Sequence, residues 1–188
     1  MASYEPRPER LISIAEYARL PNDESTWDEL VRGQVVREPL PPAGGPHGRV
    51  MLQVGRLLRN HVDEHGLELQ CGVHAGFVLE EEPGTVRGPD VWVMRRGRGM
   101  GRYPWPDGAP ELAVEVLSPS NRPREMAEKV TQFLAAGAVL VWVLDPRRRT
   151  AVVYRTGAQP QTLSSEDEID GGEVLPGFHV KVGRLFDA

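Results

Sequence analysis

Two segments of the chain carry apolar residues at the spacing of an amphipathic helix. Between His47 and Gly66 the apolar positions recur every three or four residues, and Gly66 supplies a stop signal. The loop PLPPAGGP, residues 39–46, precedes this segment, because proline and glycine disfavour regular structure. The second segment begins at Pro123, which suits the first turn of a helix, and ends at Gly137. The pattern therefore predicts two main helices.

Alternating apolar and polar positions predict strands in the N-terminal half. The segment WDELVRGQVVRE is typical of a hairpin that turns at Arg32-Gly33. The segments LELQCGVHAGFVLE and TVRGPDVWVM are each predicted to be a strand, separated by a turn at Glu82-Pro83-Gly84. Upstream, Ser13 and Glu16 have the spacing of a capping box that begins a short helix.

In the C-terminal half, two apolar strands flank the second helix. The segments ELAVEVL and VLVWVL are apolar at nearly every position, as expected for strands covered on both faces. With the helix between them they form a βαβ-like unit, and AVVYR is predicted to pair antiparallel with the second strand. The pattern indicates an α/β or α+β fold with a mixed sheet. We expect residues 1–188 to form a single domain, with residues 1–10 as a mobile tail.

Length and composition limit the class of protein to which this chain can belong. The 188 residues, 40% of them hydrophobic, suit one domain with a buried core. No apolar run approaches the roughly 20 residues that span a bilayer, and the start MASYEPRPERL does not resemble an export signal, so we expect a soluble cytoplasmic protein. The net charge of −5 argues against a generally basic nucleic-acid coat. Cys71 is the only cysteine, which excludes an internal disulfide and a thiolate metal cluster.

Glu115 is the one polar residue between Leu112 and Leu117 in the strand ELAVEVL. Side chains alternate across a strand, so Glu115 shares a face with Ala113 and Leu117. An ionised carboxylate in such a place costs several kcal/mol unless a cation or hydrogen-bond donors meet it. A salt bridge to an arginine would satisfy it without any functional role.

Asp90 raises the same question, since it stands at the head of the apolar run VWVM. Two acids at the ends of neighbouring strands would repel each other unless a divalent cation neutralised them. Oxygen ligands of this kind suit Mg²⁺ or Mn²⁺. Asp90 and Glu115 are therefore candidate metal ligands.

Lys129 is the third candidate. Helical side chains lean toward the helix N-terminus, so Lys129 can reach back toward the strand end that carries Glu115. The alternative is an exposed pair with Glu125, four residues earlier. Two carboxylates, a metal and a lysine suit phosphodiester hydrolysis, because the metal lowers the pKa of a water and the ammonium orients it or stabilises developing negative charge.

The motif GPDVWV, followed by ELAVEVLSPSNRPREMAEKVTQFLAAGAVLVWVLDP, resembles the Uma-two family, a branch of the PD-(D/E)XK nuclease superfamily. The resemblance extends to the early WDELVRGQVV hairpin, the helix start at His47 and the closing LPGFHVKVGRLF. It implies a restriction-endonuclease-like fold, in which helices flank a mixed central sheet and an acidic site holds a divalent metal.

The resemblance also assigns residues. Pro89-Asp90 matches the Pro-Asp motif, and Glu115 matches the acid of the Glu-x-Lys motif. Leu117 stands where the lysine of that motif would be, so the strict pattern is incomplete. The family carries its lysine on the following helix, which implies that Lys129 takes that role.

Three further features stay open at this stage. Glu29 is either an additional acid of the site or an exposed strand carboxylate. His47 is expected to cap a helix or anchor a loop rather than to act in catalysis. The arginine-rich loop (Arg95, Arg96, Arg98 and Arg102, with Tyr103 and Trp105 nearby) either meets a phosphate backbone or is ordinary solvated loop.

These observations lead to the hypothesis of a Mg²⁺- or Mn²⁺-dependent DNA endonuclease. Asp90 and Glu115 would hold the metal, with the Val116 carbonyl as a further oxygen, and Lys129 would assist the attacking water. Double-strand cutting would favour a homodimer with two sites. The alternative, which Leu117 keeps open, is a nuclease-like module that binds nucleic acid or a protein without turnover. In a third interpretation, Glu115 is salt-bridged for structure alone.

Overall fold

The computed structural model describes residues 10–21, 25–39 and 45–187. Residues 1–9 of the expected mobile tail and residues 40–44 of the predicted loop lie outside these ranges. No helix within the described ranges is long and apolar enough to cross a membrane.

The described residues form helices and strands in a mixed order. The helices are α1 (Ile14–Tyr17), α2 (Pro46–Glu64), α3 (Pro123–Ala135) and a final 3-10 helix (Val182–Phe186). The strands are β1 (Thr26–Val31), β2 (Gln34–Pro39), β3 (Leu69–Val73), β4 (Phe77–Glu80), β5 (Thr85–Arg87), β6 (Val91–Arg95), β7 (Leu112–Val116), β8 (Leu140–Asp145), β9 (Thr150–Arg155), β10 (Gln161–Leu163), β11 (Glu168–Asp170) and β12 (His179–Lys181).

A six-stranded mixed sheet occupies the centre of the fold, in the order β10-β9-β8-β7-β6-β3. Strands β7 and β8 run parallel, with Glu115 opposite Val143, and α3 makes the crossover between them. The neighbouring pairs β6/β7 and β8/β9 are antiparallel. The predicted βαβ unit, the mixed sheet and the antiparallel partner of the second strand are therefore confirmed.

The two main helices cover opposite faces of this sheet. The apolar face of α2, including Val54 and Leu58, packs with Leu112 and Val114 of β7 in the larger core cluster. The buried face of α3 packs against the side of β7 that carries Ala113 in a second cluster. Alternation along β7 decides which residue joins which cluster, and so it directs Glu115 to the side covered by α3.

Beside the central sheet lies a smaller four-stranded sheet in the order β2-β1-β5-β4. Strands β1 and β2 form the predicted hairpin, with Arg32 and Gly33 both at positive φ in the turn. The predicted capping box of Ser13 and Glu16 is present at the start of α1. This sheet brings β1, which carries Glu29, next to β5 through the pairing of Leu30 with Val86.

Two predicted strands are wrong in their extent. Each of the segments read as one strand is divided between the two sheets: β3 and β6 belong to the central sheet, whereas β4 and β5 belong to the smaller one. The breaks fall at His74, which has φ 47°, and at Gly88-Pro89. Proline has no N–H for a ladder, and a Cβ on Gly88 would lie 2.9 Å from the Ala75 carbonyl oxygen. The alternation of apolar residues continues past His74, so the pattern alone does not reveal the first break. The second break coincides with Gly88-Pro89, a dipeptide typical of a turn.

Candidate active site

A pocket of about 340 Å³ lies at the C-terminal end of β7 and the N-terminal half of α3. Its lining comes from four parts of the chain: Trp27; His47; the connections between His74 and Asp90; and the stretch from Glu115 to Lys129. All three residues predicted for the site therefore reach one pocket.

Lys129 lies in the second turn of α3 and reaches back to the end of β7. Its Nζ lies 3.0 Å from Oε1 and 3.1 Å from Oε2 of Glu115, which is only 3% exposed. The same Nζ donates to the Gly88 carbonyl oxygen at 3.0 Å. Two alternatives are thereby excluded: the cation that meets Glu115 is not an arginine, and Glu125 pairs with Arg122 instead of Lys129.

Glu29 lies against the same ammonium. Its Oε1 is 3.0 Å from Nζ of Lys129 and accepts a hydrogen bond from the Gly88 N–H, also at 3.0 Å. Its Oε2 accepts a 2.9 Å hydrogen bond from Nη1 of Arg87. Both side chains of this pair are buried, so Glu29 is not an exposed strand carboxylate. We call Glu29, Arg87, Asp90, Glu115 and Lys129 the buried charge cluster.

Asp90 stands just before β6, beside the end of β7. Its Oδ2 accepts a 2.7 Å hydrogen bond from the backbone N–H of Val116. Nε2 of His47 lies 3.2 Å from the same oxygen. Because Val116 directly follows Glu115, this contact places both carboxylates at the same edge of the sheet.

The structure excludes one of the two roles predicted for His47, that of a helix cap, because Gly45 is the N-cap of α2. His47 instead contacts Asp90, 43 positions further along the chain. A histidine at a helix start carries no local signal of such a distant partner. His74 and Trp27 also line the pocket without having been predicted there.

The electrostatics of the cluster follow from burial and charge together. Burial raises the pKa of Glu115 to about 8, since it outweighs the attraction of the Lys129 ammonium. Burial acts to lower the pKa of Lys129, but the surrounding carboxylates outweigh it and hold that pKa above its usual value. For Asp90, burial is opposed by His47 and Lys129, which bring its pKa below the usual range. The lysine therefore stays positively charged at neutral pH.

The shifted pKa of Glu115 predicts a pH-dependent stability. Its value in the folded protein, about 8, lies above the usual 4.5, so between these values the folded state binds more protons than the unfolded state. The free energy of unfolding, measured with urea in EDTA, should therefore fall as the pH rises from about 4.5 to about 8. In Glu115→Gln the fall should be smaller by more than about 1 kcal/mol. Glu166→Gln, which alters an exposed carboxylate, serves as the control. An equal fall in all three proteins would contradict the prediction.

The donor set of the pocket fits a divalent cation. With every acid ionised, the buried charge cluster contains three carboxylates and two full cations, which leaves one net negative charge. Oε1 of Glu115 is buried and accepts no well-aligned hydrogen bond, although Nζ of Lys129 is close to it. No group of three acids, histidines or cysteines among residues 10–21, 25–39 and 45–187 forms a complete metal cage. Mg²⁺ commonly takes one or two carboxylates and fills its shell with water and substrate oxygens, so two carboxylates suffice.

Two arginines of the arginine-rich loop donate hydrogen bonds to the protein's own backbone. Arg98 donates to the carbonyl oxygens of Asp107 and Ala109, and Arg96 donates to that of Leu69. None of the four arginines belongs to the pocket lining. These contacts favour a structural role for Arg96 and Arg98.

The fold matches the crystal structure of a putative nuclease belonging to DUF820 from Anabaena variabilis ATCC 29413, with a TM-score of 0.79 and 19% sequence identity. The match covers 93% of this chain and 97% of that chain. The molecule thus has the same fold as that putative nuclease. The model of the Uma2 family, described as "Putative restriction endonuclease", matches residues 14–183.

Because the family match covers most of the chain, the protein belongs to the Uma2 family. No curated protein matches its sequence. Family and fold together support a nuclease function, and the predicted family and fold class are confirmed.

Proposed function

We propose that the protein is a divalent-metal-dependent endonuclease that hydrolyses phosphodiester bonds of DNA. The observation that carries the proposal is the buried Lys129 ammonium, held within 3.0 Å of Glu115 at the floor of a pocket that also contains Asp90. A buried cation between carboxylates costs desolvation energy, and pockets with such charges are typical of active sites.

The helix supplies the lysine that the strand lacks. Leu117 stands two residues after Glu115, where the strict motif has its lysine. Lys129 comes from α3 instead, and the turn Ser118-Pro119-Ser120 directs the chain back over the strand end. Asn121 holds this turn by accepting a 2.6 Å hydrogen bond from the Ser118 N–H. The geometry supports Lys129 as the functional equivalent of the missing lysine.

Each residue of the pocket has its own role in the proposed reaction. Asp90 and Glu115 would hold Mg²⁺ or Mn²⁺, with the Val116 carbonyl as a further oxygen. The metal would supply charge neutralisation at the phosphate and activation of water. Lys129 orients the water or stabilises negative charge that develops on the phosphate. Glu29 and the Gly88 carbonyl position the ammonium, and the Val116 N–H fixes the Asp90 carboxylate.

Supercoiled plasmid provides the direct test of this proposal. We expect the purified protein to nick plasmid with Mn²⁺ or Mg²⁺ and to stop when EDTA removes the metal. Calorimetry should show Mn²⁺ binding to the wild type and weaker binding, by about 10- to 100-fold, to Asp90→Asn. Asp63→Asn, at an exposed i,i+4 pair on α2, should bind Mn²⁺ like the wild type. Nicking that continues in EDTA, or Mn²⁺ binding unaffected by Asp90→Asn, would contradict the proposal.

Leu117 favours one second candidate: a nuclease-like module that binds nucleic acid without cutting it. Such a module would bind DNA but leave plasmid intact at every metal concentration. Cutting of both strands would further support a homodimer, since each strand needs its own site. Sedimentation with and without duplex DNA would test that assembly, and a monomer in both conditions would exclude it.

A further inference from the structure

The pocket has an aromatic wall. Trp27 of β1 and His74, which follows β3, both line it. Their ring centroids are 4.9 Å apart and their planes are tilted by 58°. Trp27 is partly buried and His74 is exposed, so this pair faces the pocket rather than a core. The pairing does not belong to any of the three apolar core clusters.

The Trp27 indole lies close to Gly88, whose carbonyl group helps to hold the Lys129 ammonium. A Cβ on Gly88 would come within 2.6 Å of Cζ2 of Trp27, so only glycine permits this approach. The carbonyl oxygen of Gly88 accepts the hydrogen bond from Lys129 at 3.0 Å. Trp27 also shares a strand face with Glu29, two residues later, which contacts the same ammonium. The aromatic wall is therefore adjacent to the proposed site of hydrolysis.

Another part of the pocket lining is polar. It contains the turn from Ser118 to Arg122, including two serine hydroxyls and an asparagine. The Arg122 guanidinium is 79% exposed and only weakly paired with Glu125, at 3.4 Å. Exposed pairs of this kind contribute little energy, so a phosphate group could displace the carboxylate. The pocket thus combines the aromatic wall of Trp27 and His74, a polar turn, and the charged groups of Glu115 and Lys129.

These three surfaces match the three parts of a nucleotide. Bases stack on aromatic side chains, whereas the sugar-phosphate backbone takes hydroxyl, amide and arginine donors. The volume of about 340 Å³ lies at the small end of pockets that take small ligands, which suits one nucleotide rather than a duplex. A base inside a duplex is stacked on its neighbours and cannot also stack on a protein ring.

We propose that Trp27 stacks on one unpaired nucleobase beside the scissile phosphate and that His74, tilted by 58° from the indole, contacts the edge of that base, so that the preferred substrate is single-stranded or locally unpaired DNA. This inference rests on the proposed function for the identity of the ligand. It deepens that function by naming the substrate form and two specificity-determining residues.

Binding in EDTA tests the inference separately from cleavage. The probe is a short, fluorescently labelled single-stranded DNA, measured against a duplex of the same sequence by anisotropy. The wild type should bind the single strand more tightly. Replacing one base at a time by an abasic site should identify a position where affinity falls roughly tenfold. Trp27→Leu should bind the intact strand about as weakly as the wild type binds that abasic strand.

Combining a Trp27 substitution with the abasic site distinguishes base stacking from a purely structural role of the indole. In Trp27→Leu the abasic site should have no further effect, whereas Trp27→Phe should restore most of the affinity and of the abasic effect. Trp105→Phe is the matched control, because Trp105 stacks on Tyr17 outside the pocket lining. An abasic penalty that is equal in the wild type and Trp27→Leu would overturn the inference, as would tighter binding of the duplex.

The binding experiment with Trp27 variants and the cleavage experiment test the inference and the proposed function separately. Base-dependent binding through Trp27 without any metal-dependent cleavage would leave the inference standing and sink the endonuclease. Metal-dependent cleavage of plasmid with no contribution from Trp27 would support the endonuclease and contradict the inference about Trp27. A change in KM with unchanged kcat for Trp27→Leu would further assign its role to substrate binding.

Discussion

Replacing Lys129 by alanine should lower the rate of DNA cleavage by about 10²- to 10³-fold, the usual effect of removing one group that stabilises transition-state charge. The ammonium is positioned by three oxygen acceptors, from Glu29, Glu115 and the Gly88 carbonyl, so alanine removes the positive charge that is held against Glu115. The rate should be measured under single-turnover conditions with saturating Mn²⁺, which separates the chemical step from binding.

The chain offers a matched control for this substitution. It contains two lysines, and the second, Lys181, forms an exposed pair with Glu166 at 3.4 Å. Lys181→Ala should cleave DNA like the wild type. Lys129→Arg keeps the charge but changes the shape, and it should retain the fold while losing much of the activity. Wild-type rates in Lys129→Ala would remove this residue from the mechanism.

Loss of activity must be distinguished from loss of structure. Lys129→Ala leaves two buried carboxylates without their shared cation, and such uncompensated charges are destabilising. Thermal unfolding and Mn²⁺ binding should therefore be measured for each variant. A folded Lys129→Arg protein that binds Mn²⁺ but cleaves poorly would assign the loss to chemistry rather than to unfolding.

Replacing Arg87 by methionine should lower the free energy of unfolding by about 3 kcal/mol, the low end for breaking a buried ion pair. Arg87 donates to Glu29 and to the amide oxygen of Gln132, and both members of the Arg87–Glu29 pair are buried. Lys129 and the Gly88 N–H still contact Glu29 after the substitution, so we do not expect the full cost of an isolated charge.

An exposed arginine provides the comparison. Arg59 pairs with Asp63 at 2.7 Å on the surface of α2, and Arg59→Met should cost less than about 1 kcal/mol. Adding Glu29→Leu to Arg87→Met should recover part of the lost stability, because it removes the buried charge that lost its partner. Urea unfolding of all four proteins would measure these differences. Equal costs for Arg87→Met and Arg59→Met would show that the buried pair does not stabilise the fold.

Local pattern predicted much of the fold and part of the candidate site. The alternation in ELAVEVL put Glu115 on one face with Ala113, and the structure shows that α3 covers this face. The helical spacing left Lys129 either reaching back to Glu115 or pairing with Glu125, and the structure decides for Glu115. These predictions succeeded because each depends on one element or on two that are consecutive in the chain. The unusual position of the lysine, twelve residues beyond Leu117, was readable for the same reason.

Contacts between distant segments were harder to predict. His47 meets Asp90 across 43 positions, and Arg87 meets Glu29 across 58. The segment around His74 is predicted as a single strand because its apolar alternation continues through the break. The second break coincides with Gly88-Pro89, a dipeptide typical of a turn, and the strand order shows that the chain changes sheets at both places.

The sequence by itself therefore predicted the order of most elements, the alternating faces of β7, and a Lys129 able to reach Glu115, while an arginine partner for Glu115 and a pair of Lys129 with Glu125 stayed open. Spacing along a strand or helix decides which way a side chain points, and this information is local. The tertiary structure alone decided that Glu29, Arg87 and His47 join that pair and that Trp27 forms a wall beside it. These residues come from separate segments, and their meeting depends on how two sheets and two helices pack together.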